Sequence, residues 1–334
     1  MAKTPVPTSR QTKRKARRRI FVVALLFCAL LVSGDYLLYP LLPIGGRSFN
    51  HAENGSWLRD TWYLGTERES VASLASRLQS QGVRYACFHT RFIQRDGKLH
   101  FRNPAYIQRV VRQLHLAPGI KALAWVYIGN QRGLTGVDIA DPTVRHTIAQ
   151  EMRWLTQTCG FDGVQLDYEI SADNDTALLQ LLTATRATLP SGKLLGVATP
   201  MWLPSALCAW GWSEAFFAQV AAHCDQMAVM AYDSGVYLPR GYVWLVAQQA
   251  IRVTRAAQRG NPRCRVLIGV PTYEDGGPSH HLRAENLRMA LKGVREGLVQ
   301  ASDTRTFAGI APFADYSTDA AEAKTLHALW PKRF

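Results

Sequence analysis

The chain has 334 residues, 47% of them apolar and 19% charged, which excludes a disordered polymer and leaves room for one large domain or two ordinary ones. Its net charge of +14 is concentrated at the start: residues 1–19 hold eight lysines and arginines and no acid, leaving +6 for everything that follows. No RNA- or DNA-binding motif accompanies that remainder, so nucleic acid is not an expected partner and the basic block reads as topogenic.

The uncharged run from Ile20 to Gly34 follows, then Asp35 and a further apolar stretch. A spanning helix needs about 20 apolar residues, which this segment reaches if it continues past Asp35 to about residue 39. The expectation is a basic cytoplasmic tail over 1–19 and a transmembrane anchor over 20–39, placing the rest outside the cell membrane, in the periplasm where there is an outer membrane. A cleaved signal peptide ending near Val32-Ser33-Gly34 is the alternative, and it exports the same chain. Residues 40–56, rich in Pro, Gly, Asn and Ser, read as a linker to a domain over 57–334.

From there short apolar runs alternate with amphipathic ones. Predicted strands are Thr61–Gly65, Arg84–Thr90, Lys121–Gly129, Asp162–Glu169, Leu194–Pro200, Gln226–Asp233, Arg265–Tyr273 and Phe307–Tyr316, each followed by a helical stretch. The helix after the third strand opens at Asp141-Pro142 and closes by Gly160, as capping preferences require. Eight strand–helix units with strands apolar throughout predict an α/β fold, a closed (β/α)8 TIM barrel. A doubly wound sheet is the alternative, but the turn after the first predicted strand reads GTERES, without the Gly-rich phosphate loop.

Of six cysteines, five lie beyond the apolar run without zinc or CxxC spacing. At most two disulfides are possible among them, Cys208 and Cys224 being nearest in sequence, while Cys87 and Cys264 read as small buried residues. None of the nine histidines is paired at metal spacing, so neither a metal nor a cofactor is expected; His280 and His281 read as loop surface. The basic loop from Arg91 to Pro104 reads as solvated, although its charge would suit an anionic glycan.

The fourth strand carries the chemistry. Side chains alternate along a strand, so Gly163, Gln165, Asp167 and Glu169 share one face. A polar ladder inside an apolar barrel is costly unless bonded within itself or to a ligand, and active sites of this fold lie at the C-terminal strand ends. Two carboxylates so close cannot both ionise easily, which makes Glu169 a candidate general acid.

Here the sequence resembles glycoside hydrolase family 18, the chitinase-like barrels, as a divergent member. The family's fourth strand reads D-x-x-D-x-D-x-E, met here by Asp162, Gln165, Asp167 and Glu169; its sixth reads Q-x-x-x-M-x-Y-D, met by Gln226, Met230, Tyr232 and Asp233; its seventh-strand G-x-P-x-Y is met by Gly269, Pro271 and Tyr273. The resemblance runs through the whole barrel in the correct order. It implies a retaining, substrate-assisted glycosidase acting on N-acetylglucosamine-containing polymers, with Glu169 as acid/base, Asp167 orienting the 2-acetamido group, Tyr232 bonding its oxygen, and Asp233 holding the sugar. Gln165, Tyr273 and Phe313 join the expected substrate-binding set, with Tyr63 and Trp202 as sugar platforms near strand ends. Trp125, in mid-strand, reads as core, and Trp154, Trp210, Trp212 and Trp244 as packing.

The departures are Gln165 in place of an Asp, Tyr127-Ile128-Gly129-Asn130 in place of a Ser-x-Gly-Gly stretch, and Phe313 in place of a Trp. They point to peptidoglycan or an exopolysaccharide rather than crystalline chitin. Two other functions stay open: a non-catalytic glycan-binding barrel, and a hydrolase with Asp167 or Asp233 as nucleophile.

Overall fold

A computed structural model describes residues 9–130, 135–204 and 211–332, with side chains from residue 17 onward; Cys208 and Trp210 lie outside the described residues. Eight parallel strands form one sheet in the order β1 to β8. They are β1 Asn54–Leu58, β2 Val83–Phe92, β3 Lys121–Gly129, β4 Gly163–Glu169, β5 Leu194–Thr199, β6 Gln226–Val229, β7 Arg265–Pro271 and β8 Phe307–Phe313. The helices are α1 Ser9–Leu38, α2 Thr61–Leu64, α3 Val71–Ser80, α4 Pro104–Leu114, α5 Pro142–Gln157, α6 Thr176–Thr188, α7 Glu214–His223, α8 Pro239–Gly260, α9 Leu287–Gln300 and α10 Ala320–Leu329. The (β/α)8 barrel is therefore as expected.

One strand is not where the sequence placed it. Thr61–Leu64 is a single helical turn ended by Gly65 at φ 84°, and the first strand is Asn54–Leu58, which overlaps the end of the expected linker. The aromatic run Trp62-Tyr63 is buried in the layer between sheet and helices, where an apolar helical turn satisfies burial as well as a strand would.

The sheet closes where β1 meets β8. Asn54 Oδ1 accepts from Ile310 N at 3.2 Å and Trp330 Nε1 at 3.1 Å, while its Nδ2 donates to Asn50 Oδ1 and to Gln81 O. Gly309 makes room for this, since a Cβ there would collide with the Asn54 amide. At the other end Asp315 N donates to Trp57 O at 3.0 Å.

Apolar burial is divided between two layers. The outer holds Val164 and Leu166 of β4 with the inward faces of the helices; the inner holds Trp57, Tyr85, Cys87, Leu123, Trp125, Tyr232 and Leu267. This is the alternation expected for strands buried on both faces. Cys224 and Cys264 are free buried thiols 3.9 Å apart at the start of β6 and β7.

Residues 36–46, which include the start of the expected linker, form a strap hydrogen-bonded to the barrel. Arg283 donates to Tyr36 O and Leu37 O, Arg288 to Pro40 O and Leu42 O, Lys292 to Pro43 O, and Arg295 to Gly46 O. Asp35 pairs with Arg240 at 2.6 Å, and the Arg240 guanidinium lies over the Tyr39 ring. Before that strap, the apolar side chains of α1 from Ile20 to Val32 are exposed, and Arg17–Leu41 is long and apolar enough to cross a membrane.

Replacing Asn54 by Ala would orphan two buried N–H groups at once. We expect a loss of about 2–4 kcal/mol of unfolding free energy, read by chemical denaturation.

Candidate active site

β4 positions the polar ladder as the alternation requires. Gln165 is fully buried, Asp167 is 4% exposed, and Glu169 is half-buried at the strand's C-terminal end. Asp162, at the opposite end, accepts from Ala122 N and bonds His115 and Lys121, so it ties β4 to β3 and lies away from the mouth.

Two indoles serve the ladder. Trp57 Nε1 donates to Gln165 Oε1 at 2.7 Å, and Trp125 Nε1 donates to Asp167 Oδ2 at 2.8 Å. Gln165 Nε2 in turn reaches Gln226 Oε1 at 3.5 Å. Gln165, expected among the substrate-binding residues, thus lies fully buried between Trp57 and Gln226 beneath the site. Asp167 Oδ1 is buried and has no hydrogen-bond partner among the described residues.

The walls are aromatic. Tyr232 stacks on Phe313 with centroids 4.7 Å apart at 19°, and Trp57 meets both rings edge-on. Gly269 on β7 lets Tyr232 lie this low: a Cβ there would stand 3.0 Å from the ring and 2.7 Å from Val229 O. His89 lies against Trp125 at 4.4 Å, and burial holds its imidazole neutral to lower pH than usual. Trp125, expected as core, is thus core and site wall together. Trp57 and His89 carried no motif to mark them, and Trp57 was hidden by the misplaced first strand.

Two expected platforms are elsewhere. Tyr63 is fully buried, its hydroxyl donating to Phe101 O at 2.9 Å. Trp202 is 7% exposed in the outer layer, with its backbone bonded to Gln249 and the Arg252 guanidinium over its ring. Neither ring presents a face to a sugar. Trp244 departs the other way: expected as packing, it is 51% exposed.

Asp233 projects from the turn after β6, its carboxylate accepting the Tyr273 hydroxyl at 2.8 Å. Its backbone has φ 54°, a left-handed conformation uncommon for Asp, and Glu285 pins it by accepting from both Asp233 N and Ser234 N. His280, expected on the surface, is buried and bonds Glu285 Oε1 at 2.8 Å. Asp233, His280 and Glu285 are the kind of cluster that can hold a metal ion. Both Glu285 oxygens, however, already accept backbone, hydroxyl or imidazole donors, which suits a brace for the turn.

Two clefts meet at Glu169. One, of about 880 Å³, is lined by His89, Arg91, Arg95, Trp125, Tyr127 and Asp167; the other, of about 870 Å³, by Met201, Tyr232, Asp233, Val236 and Trp244. Part of the basic loop thus forms a wall, with Arg91 paired to Asp60. Burial raises the affinity of both ladder carboxyls for a proton; the charge of Glu169 adds to the effect at Asp167, and that of Asp233 at Glu169.

The same barrel occurs in solved structures. It is similar to the spore cortex-lytic enzyme SleL of Bacillus cereus (TM-score 0.60, 15% identity, 87% of this chain and 77% of that one). It is similar also to a chitinase of Chromobacterium violaceum (0.56, 15%, 84% and 99%) and chitinase RmChi1 of Rhizomucor miehei (0.55, 13%, 83% and 99%). The chain has the chitinase-like barrel fold, which is what likeness at such identities establishes. No protein-family model and no curated protein sequence matches it.

Because the Asp167 and Glu169 pKa values are raised on folding, the native state binds more protons than the unfolded chain above the ordinary carboxylate range. Stability contributed by the pair is greatest at acid pH and falls as pH rises toward the native values. Asp167→Asn keeps an acceptor for Trp125 and removes one of the charges. It is expected to raise Tm at pH 8 by about 2–4 °C, and by less at pH 5, in thermal melts.

Proposed function

We propose that this protein is a retaining glycoside hydrolase of N-acetylglucosamine-containing glycans, with Glu169 as general acid/base. The observation that carries the reading is the placement of Asp167 and Glu169 on successive inward positions of β4, both held toward the protonated form, with Glu169 on the wall common to two clefts. The fold shared with chitinases and a cortex-lytic enzyme supports it by analogy.

In the proposed reaction the substrate's acetamido oxygen attacks the anomeric carbon as the glycosidic C–O bond breaks and Glu169 gives its proton to the departing oxygen. Asp167 accepts the acetamido N–H, and Tyr232 donates its hydroxyl to the acetamido oxygen. Water then opens the cyclic oxazolinium intermediate and returns a proton to Glu169, restoring the enzyme with the anomeric configuration retained. Trp57 and Phe313 provide the apolar floor, and Tyr273 orients Asp233 toward the sugar.

We further infer that α1 anchors the barrel, with the basic residues 1–19 inside the cell and the barrel outside it. Its exposed apolar length and the Lys/Arg block before it support this assignment.

Glu169→Gln is expected to lower turnover of fluorogenic N-acetylglucosamine oligosaccharides or purified peptidoglycan about 10²–10⁴-fold with little change in binding. De-N-acetylated oligosaccharides should not be cleaved. Binding without turnover in both parent and variant would sink the hydrolase reading in favour of a glycan-binding barrel.

Trp125→Phe removes the N–H that favours ionised Asp167. The expected result is a shift of the kcat/KM pH profile toward alkaline pH, with kcat lowered about tenfold, measured in steady-state kinetics.

A further inference from the structure

The place where α1 meets the barrel is one end of an unusual rim. Among the described residues, α1 meets the barrel through its last turns, where Asp35 pairs with Arg240 in the first turn of α8 and Arg283 holds Tyr36 O and Leu37 O. Both arginines follow strand C-terminal ends, Arg240 at the start of α8 after β6 and Arg283 on the β7–α9 connection, and so belong to the mouth of the barrel. From there the strap runs along α9 through Arg288, Lys292 and Arg295 to the opposite end, where Ser48 and Asn50 meet Pro331 and Trp330. A membrane crossed by α1 therefore lies on the mouth side.

On this same rim large apolar side chains are turned to the outside. Tyr237 is 57% exposed, Leu238 37%, Trp244 51% and Leu282 45%. They flank the two anchoring arginines in sequence, and the Tyr237 ring rests on His281, which joins the two connections into one surface. Arg240 is paired with Asp35, and Arg283, which keeps its positive charge, donates to backbone carbonyls of α1; both suit the polar headgroup level of a membrane. The 870 Å³ cleft opens within this rim and runs from Glu169 and Tyr232 past Met201, Leu203 and Val236 to Trp244.

We propose that Tyr237, Leu238, Trp244 and Leu282 rest in the interfacial layer of the membrane that α1 crosses, so that the cleft opens along the bilayer surface and takes a glycan carried on a lipid. The proposal rests on the anchor and glycosidase readings above. Amphipathic aromatics and aliphatics beside a spanning helix are the composition that settles at the headgroup boundary. The strap makes the arrangement rigid, because no free linker separates α1 from the mouth. The apolar end of the cleft is then nearest the lipid, and the catalytic carboxyl is reached by sugars a short way from it.

The test uses the full chain in lipid nanodiscs, with Cys28→Ser and Cys208→Ser so that neither competes for the label. A fluorophore is placed on Leu282→Cys and, separately, on Leu116→Cys, which is 83% exposed before β3 at the opposite end of the barrel. Nitroxide-labelled lipid should quench the label at 282 at least about twofold more than the label at 116. Equally weak quenching at both positions overturns the proposal and leaves the glycosidase reading untouched.

In the same discs, an N-acetylglucosamine oligosaccharide on a lipid should be cleaved about tenfold faster than the free oligosaccharide at equal concentration. The triple variant Tyr237→Ser, Leu238→Ser, Leu282→Ser should bring the two rates close together without slowing the free one. Equal rates in the parent would overturn the substrate assignment. Cleavage of neither glycan would count against the hydrolase reading, with quenching still deciding the rim.

Discussion

Burial of the β4 polar ladder is the constraint around which the interior is arranged. An uncompensated carboxyl or amide within a barrel costs several kcal/mol in order of magnitude, so the neighbouring strands must supply donors without bringing in further charge. Indole does so, being a donor only, with a large apolar body. Trp57 from β1 and Trp125 from β3 each give their one N–H to the ladder; Trp57 packs against Tyr232 and Phe313, and Trp125 against Phe313. The groups that make the ladder tolerable are thus also the floor on which a ligand would lie. Their support is incomplete at Asp167 Oδ1, the atom left for a partner from outside.

A second network fixes the opposite wall. Asp233 occupies a backbone conformation that costs roughly 1–3 kcal/mol for such residues unless its surroundings determine it. The buried Glu285 does this by collecting the Asp233 and Ser234 amides, and His280 covers Glu285 in turn. With its main chain held, Asp233 can leave its carboxylate exposed beside Tyr273 and Glu169, where its charge favours the protonated Glu169. One carboxylate is spent on geometry so that another can act through its charge.

The fold was legible because seven of the eight strands are apolar runs bounded by turn residues, and β4 could be assigned to its faces from alternation alone. β1 was not legible. Asn54–Leu58 reads NGSWL, with polar residues whose role is to close the barrel, whereas the more apolar Thr61–Leu64 forms a helical turn. Losing β1 hid Trp57. Tyr63 and Trp202 were placed at the site by nearness to strand ends, but sequence distance from an end does not say which layer a ring enters. His280 and Glu285 sit in a loop whose Gly, Pro and Ser suggest solvent, and long-range contacts with Asp233, Ser234 and Tyr273 bury them.

The strap that binds residues 36–46 to α9 has a consequence for the order in which the molecule can be made. Among the described residues, the side chains that donate to residues 36–46 lie between Arg283 and Arg295, Ser48 and Asn50 meet Pro331 and Trp330, and β1 cannot close the sheet until β8 is present. During synthesis the first segments to emerge therefore wait for the last before the barrel can shut. Throughout that interval Trp57 and Trp62, buried in the finished barrel, are unsheltered apolar surface. The finished molecule records this history as a belt joining its first helix to its last third.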